Sequence, residues 1–143
     1  MVSNPGMNNA RLEALLSTRL PALEGTDGVW RADVDDLLLY VFTDEHHDRM
    51  RIMIPIGEVN LDDTALLRTL LSANFDRALD AKYALNDGVL WSTFLHRLSW
   101  LSEASLDAAL EQVITLARNT GSTFASSELV FASPGERDAI DES

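Results

Sequence analysis

Residues 74–91 read NFDRALDAKYALNDGVLW, and this stretch decides how the second half of the chain folds. An apolar helical pattern reaches Asn74-Phe75, is interrupted, and gives way to two short apolar runs joined by Asn86-Asp87-Gly88. Asp-Gly between apolar runs is a strong hairpin signal, because glycine adopts positive φ without steric cost. The stretch therefore predicts a helix followed directly by a β-hairpin, with strands over 82–85 and 89–95.

Three segments show the periodicity of amphipathic helices, and their predicted spans are about 9–20, 62–74 and 102–119. Asn8 or Asn9 is predicted to cap the first helix and Asn60 or Asp62 the second, while Gly121 ends the third. The predicted inward faces are Leu12, Leu15, Leu16, Leu20 and Leu23 in the first helix, Leu66, Leu67, Leu70 and Leu71 in the second, and Leu106, Leu110, Val113, Ile114 and Ala117 in the third.

Three strands are predicted between the first two helices, over 29–34, 37–43 and 50–56, with turns at 25–28 and 44–48. The middle strand, LLLYVFT, is nearly all apolar, so it is expected to lie at the centre of a sheet with both faces covered. Pro55 cannot donate to a strand ladder, so the third strand is expected to end there or to run along an edge. Short connections make the three strands an antiparallel meander.

The predicted order is α-β-β-β-α-β-β-α, which is an α+β domain with a five-stranded, mainly antiparallel sheet and helices packed against it. This domain is expected to span 9–122. The remaining segment, 123–143, is expected to be a flexible acidic tail, since 126–143 has five acidic residues against one arginine, a local net charge of −4.

The composition excludes several classes of function. The 143 residues carry a formal charge of −12, which repels nucleic-acid backbones and anionic lipid, so neither nucleic acid nor membrane is an expected partner. There are no cysteines, which excludes disulfides and thiolate chemistry and fits a reducing compartment. The N-terminus lacks a signal-peptide pattern and no apolar run could cross a bilayer, so a cytoplasmic protein is expected.

No catalytic, metal or cofactor motif is found in the sequence. His46-His47 lies in the polar turn DEHHD, where adjacent side chains diverge, and no further ligand occurs at metal spacing. The pairs Asp35-Asp36 and Asp62-Asp63 are sequence neighbours, whereas acid–base catalysis needs carboxylates that face each other across a cleft. The chain is therefore expected to be no enzyme and to need no cofactor. A small-ligand binder that uses a sheet cavity remains an alternative.

The predicted strands carry more apolar residues than a sheet with one wet face needs. One face can pack on the first and third helices, and the other must be covered by the second helix, another subunit or a bound chain. This pattern favours a binding protein, although a fully covered ordinary core would also explain it.

Residues 70–117 resemble the bacterial type III secretion chaperones of the Tir-chaperone class and their YbjN-like relatives. The resemblance consists of a leucine-rich helix that ends in Asn74-Phe75, a hairpin around Asp87-Gly88, a short apolar segment at 98–101 and a helix of L-x₃-L type from Leu106. With the upstream helix and strands in the same order, it covers 9 to about 122. It implies a cytoplasmic homodimer that, without ATP, binds the extended N-terminal segment of a secreted effector.

The resemblance also assigns surfaces to residues. For the two-fold interface, built in that family from the second helix and last hairpin, it implies Leu67, Leu70, Leu71, Phe75 and Trp91. For the effector surface on the first helix and the sheet, it implies Leu12, Leu16, Leu39, Val41 and Met53. The alternative is a YbjN-like regulatory or scaffold protein of the same fold that has no secreted client.

Overall fold

The computed structural model describes residues 6–76 and 79–120. It contains three helices, α1 (Asn9–Arg19), α2 (Thr64–Asp76) and α3 (Glu103–Asn119). Its six strands are β1 (Glu24–Thr26), β2 (Val29–Val34), β3 (Leu37–Asp44), β4 (Arg49–Glu58), β5 (Lys82–Asn86) and β6 (Val89–His96). The α+β class and the order of the helices among the strands are confirmed. The predicted end of α3 at Gly121 and the predicted acidic tail lie outside the described residues.

All six strands form one antiparallel sheet in the order β1-β2-β3-β4-β6-β5. The sheet has six strands rather than the five predicted, because the segment around Gly25 pairs with β2 instead of forming only a turn. The turn itself is confined to Asp27 and Gly28, both with positive φ. In so short a strand, all of whose residues are exposed, no alternation of apolar and polar residues marks the sequence.

The expectation that Pro55 ends the strand or marks a sheet edge is wrong. β4 continues to Glu58 and lies between β3 and β6. Its ladder with β3 extends only to Met53, so at Pro55 the strand is paired with β6 alone. A register shift between Pro55 and Gly57 follows at once. A proline is tolerated there because one side of the strand has no ladder to supply.

All three helices pack on the same face of the sheet, which we call the covered face. Its central side chains, Trp30, Leu39, Val41, Ile52 and Ile54, are fully buried. They form one apolar cluster with Leu12 and Leu16 of α1 and Leu106 and Val113 of α3. The Trp30 indole satisfies its N–H by donating to Glu13 Oε1 at 2.8 Å.

The second helix extends this layer instead of covering the opposite face of the sheet. Leu66 and Leu70 of α2 pack against Tyr83 and Leu90 of the β5–β6 hairpin. Tyr83 is the register partner of Ser92, whose buried hydroxyl donates to Val113 O of α3 at 2.8 Å. α2 and α3 therefore lie side by side. The second helix, one of the candidates to cover the other face of the sheet, does not cover it.

Helix starts follow local capping chemistry. Asn8 accepts from the backbone N–H of Arg11 and caps α1, as one of the two predicted candidates. Asp63, not Asn60 or Asp62, accepts from the N–H of Leu66 at the start of α2. Ser102 caps α3 in a capping box with Ser105. These caps satisfy donors that the first turn of a helix leaves without partners.

The joint between α2 and the hairpin is fixed by one side chain. The Asn74 carboxamide accepts from Tyr83 N at 2.7 Å and donates to Tyr83 O at 3.0 Å, as a neighbouring strand would. The hairpin turn itself has positive φ at both Asp87 and Gly88, which fits its predicted Asp-Gly chemistry. The stretch at 74–91 therefore positions α2 against the outer strand of the sheet.

Candidate functional site

The sheet face opposite the helices, here called the open face, is apolar at its centre. Alternation along each strand places there the side chains that neighbour the buried ones, namely Tyr40, Phe42, Met53, Trp91 and Leu95. Tyr40, Phe42, Met53 and Trp91 are half-buried, and Leu95 is 56% exposed. None of the helices within 6–76 and 79–120 packs on this face. Such a surface is typical of a binding site.

The aromatic rings of the open face contact one another. Tyr40 stacks on Phe42 with ring centroids 5.8 Å apart and meets Trp91 edge-on at 6.3 Å. The Trp91 Nε1 atom is buried and, among the described residues, has no hydrogen-bond acceptor. A cavity of about 530 Å³ lies beside these rings, lined also by Arg49, Arg51 and Leu95. The face thus offers a shaped apolar surface.

Arginines border this surface in a chain of net charge −12. The register places Arg51 between Phe42 and Leu95. Arg31 lies next to Tyr40 and pairs with Glu24 at 3.2 Å. Arg49 and Arg51 are exposed and form no ion pair with any residue of the described ranges. The local potential at the open face is therefore more positive than the overall charge suggests.

A second apolar surface lies at the end of α2, and we call it the α2 patch. It contains the half-buried Leu67 and the exposed Leu71, Phe75 and Leu85, with Phe75 exposed by 89% and Leu71 by 70%. A cavity of about 310 Å³ between α2 and β5 is lined by Leu67, Leu70, Leu71 and Leu85. Isolated exposed leucines are ordinary, but several on one helix face beside an edge strand indicate a contact surface.

Ionic contacts cluster away from the centre of the open face. Arg19 bridges α1 to Asp107 and Glu103 of α3, and the hydrogen bond from Arg19 holds the pKa of Asp107 below its usual range. Hydrogen bonds from Ser99 and then from Arg97 lower the pKa of Asp48.

In the polar turn at 44–48, a hydrogen bond again lowers the pKa of a carboxyl group: the bond with His47 lowers the pKa of Asp44.

Within the described part of the chain, no group of three or more histidine and acidic side chains is placed to hold a metal ion. No helix there is long and apolar enough to cross a membrane. The arrangement offers surfaces for contact rather than a cluster of reactive groups.

Comparison with known proteins identifies the family. The model of the Tir chaperone protein (CesT) family matches residues 11–120. The chain belongs to this family. Among curated proteins, no significant match was found.

Solved structures show the same fold at low sequence identity. The ExsC–ExsE complex superposes with a TM-score of 0.63 at 17% identity, covering 87% of this chain and 98% of that one. The HopA1–SchA chaperone–effector complex gives 0.59 at 16%, covering 78% and 93%. The Yersinia pestis type III secretion chaperone SycH, in complex with a stable fragment of YscM2, gives 0.56 at 16%, covering 76% and 95%. The predicted resemblance to type III secretion chaperones is confirmed.

Most of the residues that the resemblance assigns to effector binding are buried. Leu12, Leu16, Leu39 and Val41 are fully buried in the covered-face cluster. They present no surface to a partner in this conformation, because the alternation of β3 turns Leu39 and Val41 toward the helices and leaves Tyr40 and Phe42 on the open face. Met53 alone of the predicted five lies on the open face.

The residues expected at the two-fold interface divide between two surfaces. Leu67, Leu71 and Phe75 lie together in the α2 patch, and Leu70 is buried beneath them. Trp91 lies on the open face and is not brought together with them. Leu85 and the open-face aromatics Tyr40 and Phe42 were missed. A consistent strand register would have found Tyr40 and Phe42, since the buried positions Met50, Ile52 and Ile54 of β4 fix the parity of β3.

Proposed function

We propose that this member of the CesT family is an ATP-independent chaperone that binds the extended N-terminal segment of a secreted effector in the cytoplasm. The observation that carries the proposal is the open face, an apolar, partly aromatic sheet surface without a helical cover in the described part of the chain. A client segment lying on Tyr40, Met53 and Trp91 would shield this surface and its own apolar side chains at once. No nucleotide chemistry is needed, because burial of apolar area supplies the free energy.

We further propose that the chaperone is a homodimer joined through the α2 patch. Leu67, Leu71 and Phe75 form a self-complementary candidate surface, because a two-fold axis brings the same patch of each subunit together. The open face lies on the opposite side of the sheet from α2, so dimerisation through α2 leaves it accessible. One dimer would therefore present two open faces to a client.

The test is a capture experiment in the native host with the tagged full-length chain. The bound protein is digested while it is held, and the protected segment is identified by mass spectrometry. We expect two copies of the chain to protect the N-terminal segment of one secreted protein. Met53→Asp should abolish capture by placing a charge at the centre of the open face.

The matched control is Ala108→Asp, which introduces the same carboxylate at an exposed position of α3, on the other side of the sheet, and should leave capture intact. A protected segment elsewhere in the client, or capture that survives Met53→Asp, would refute binding of an N-terminal segment to this face. A dimer that captures no client would favour the regulatory or scaffold alternative.

A further inference from the structure

Two exposed arginines that form no ion pair with any described residue, Arg49 and Arg51, lie at one end of the open face. Both line the same cavity as Trp91. The carboxylate that borders this cavity, Asp44, is already engaged, because it accepts from His47 N at 3.1 Å and contacts His47 Nδ1 at 2.7 Å. Arg49 is the register partner of Asp44, yet the two form no ion pair.

The two arginines favour a partner that carries negative charge. Guanidinium groups pair best with carboxylates. The apolar side chains Phe42 and Leu95 flank Arg51 in the register, and Met53 lies two residues further along β4. Positions two residues apart on a strand share a face and lie about 7 Å from each other.

We propose that the open face selects a client segment in which a carboxylate lies two residues from an apolar side chain. This inference rests on the proposed chaperone function and adds the chemistry of its client. The carboxylate pairs with Arg51 and Arg49, and the apolar side chain packs on Met53 and Trp91.

The net charge of the protein makes this selectivity unexpected and therefore diagnostic. At −12, the whole chain attracts basic peptides and repels acidic ones at long range. Close to Arg49 and Arg51 acidic peptides are favoured over basic ones. A lysine of the client would be repelled there by two guanidinium groups that form no ion pair in the described structure. At about 150 mM ionic strength, the Debye length of about 8 Å screens the distant charges and leaves the local preference.

The experiment uses three fluorescein-labelled synthetic peptides in which phenylalanine lies two residues from glutamate, glutamine or lysine, with serine at the positions between them, so that both side chains share one strand face. Binding to the full-length chain is measured by fluorescence anisotropy at physiological ionic strength. We expect the glutamate peptide to bind at least about tenfold more tightly than its glutamine and lysine twins, as one charge-assisted hydrogen bond allows. Arg51→Glu should remove that preference or turn it toward lysine.

The control is Arg11→Glu, which makes the same charge change at an exposed α1 arginine that also forms no ion pair in the described structure. It should keep the preference for glutamate. If the three peptides bind alike, or if both variants weaken binding equally, the selectivity is refuted while an apolar client surface stands.

Two further outcomes would overturn the inference. If no peptide binds, the open face does not recognise this chemistry, and the capture experiment still decides the chaperone function separately. If the glutamate peptide binds only after Leu129→Ser and Phe131→Ser, the occupant is the chain's own segment Glu128-Leu129-Val130-Phe131 and not a client.

Discussion

The two faces of this sheet are made from the same strands and differ in what packs against them. On β4, Ile52 and Ile54 are fully buried under the helices, whereas Met53 between them is only half-buried on the open face. Both faces are apolar at their centre. The covered face is completed by the helices of the same chain, and the open face leaves apolar area that no described residue removes from water. Burial of apolar side chains therefore stabilises the fold on one side, and apolar area stays accessible on the other.

Adjacent substitutions on β4 would test this comparison with the largest expected effect. Ile52→Ala removes a fully buried side chain and leaves a cavity, so it should lower the free energy of unfolding by about 2–5 kcal/mol. Met53→Ala should cost less than about 1 kcal/mol, because its side chain is already partly in water. Urea unfolding of both variants measures the difference. Equal losses would mean that the open face is part of the folding core.

Much of this architecture could be predicted from the sequence, because it depends on local patterns. The helix spans, the strands at 29–34 and 37–44 and the Asp-Gly hairpin each follow from periodicity or turn chemistry within a few residues. Three features depended on tertiary context instead. The pairing of β1, the continuation of β4 through Pro55 and the position of α2 beside α3 are decided by which strand or helix is the neighbour.

The candidate site was less predictable than the fold for the same reason. A continuous apolar run such as LLLYVFT does not reveal which alternate residues face the helices, so Leu39 and Val41 were assigned to the surface. The register resolves this ambiguity, since Trp30 pairs with Val41 and Val41 with Ile52, all three fully buried. A slip of one residue exchanges the two faces completely.

The Asn74 joint should give the next largest effect, because it ties the outer strand to the helical layer. Asn74→Ala would leave Tyr83 N and Tyr83 O without their present partner, at a cost of about 1–3 kcal/mol. Amide hydrogen exchange should show the loss concentrated in β5. Ser72→Ala, at an exposed α2 position two residues away, is the control and should leave the protection of β5 unchanged. A loss spread evenly over the sheet would argue against this local role.

Acid should lower the free energy of unfolding by protonating Asp107, which pairs with Arg19 between α1 and α3. Its pKa is lowered in the folded state by the hydrogen bond from Arg19, so its contribution is present above the unfolded pKa of about 4 and disappears as the pH falls through the folded value. Asp107→Asn should therefore reduce the urea midpoint at pH 7 and converge on the parent protein in acid. Asp33→Asn, which removes a carboxylate that forms no ion pair with any described residue, is the control and should leave the urea midpoint at pH 7 unchanged. An offset for Asp107→Asn that is independent of pH would contradict the linkage.

Phe75→Asp should have the smallest effect on the stability of a single chain and a large one on association. The ring is 89% exposed, so its removal should change the free energy of unfolding of the monomer by no more than about 0.5 kcal/mol. In a two-fold interface through the α2 patch, the introduced carboxylate would be buried against its own copy and would dissociate the dimer. Sedimentation velocity at micromolar concentration measures the change. Leu95→Asp, an equally polar change on the open face, should leave the dimer intact and impair client binding. If Leu95→Asp dissociates the dimer instead, the open face is the self-association surface, and the assignment of the two apolar regions must be exchanged.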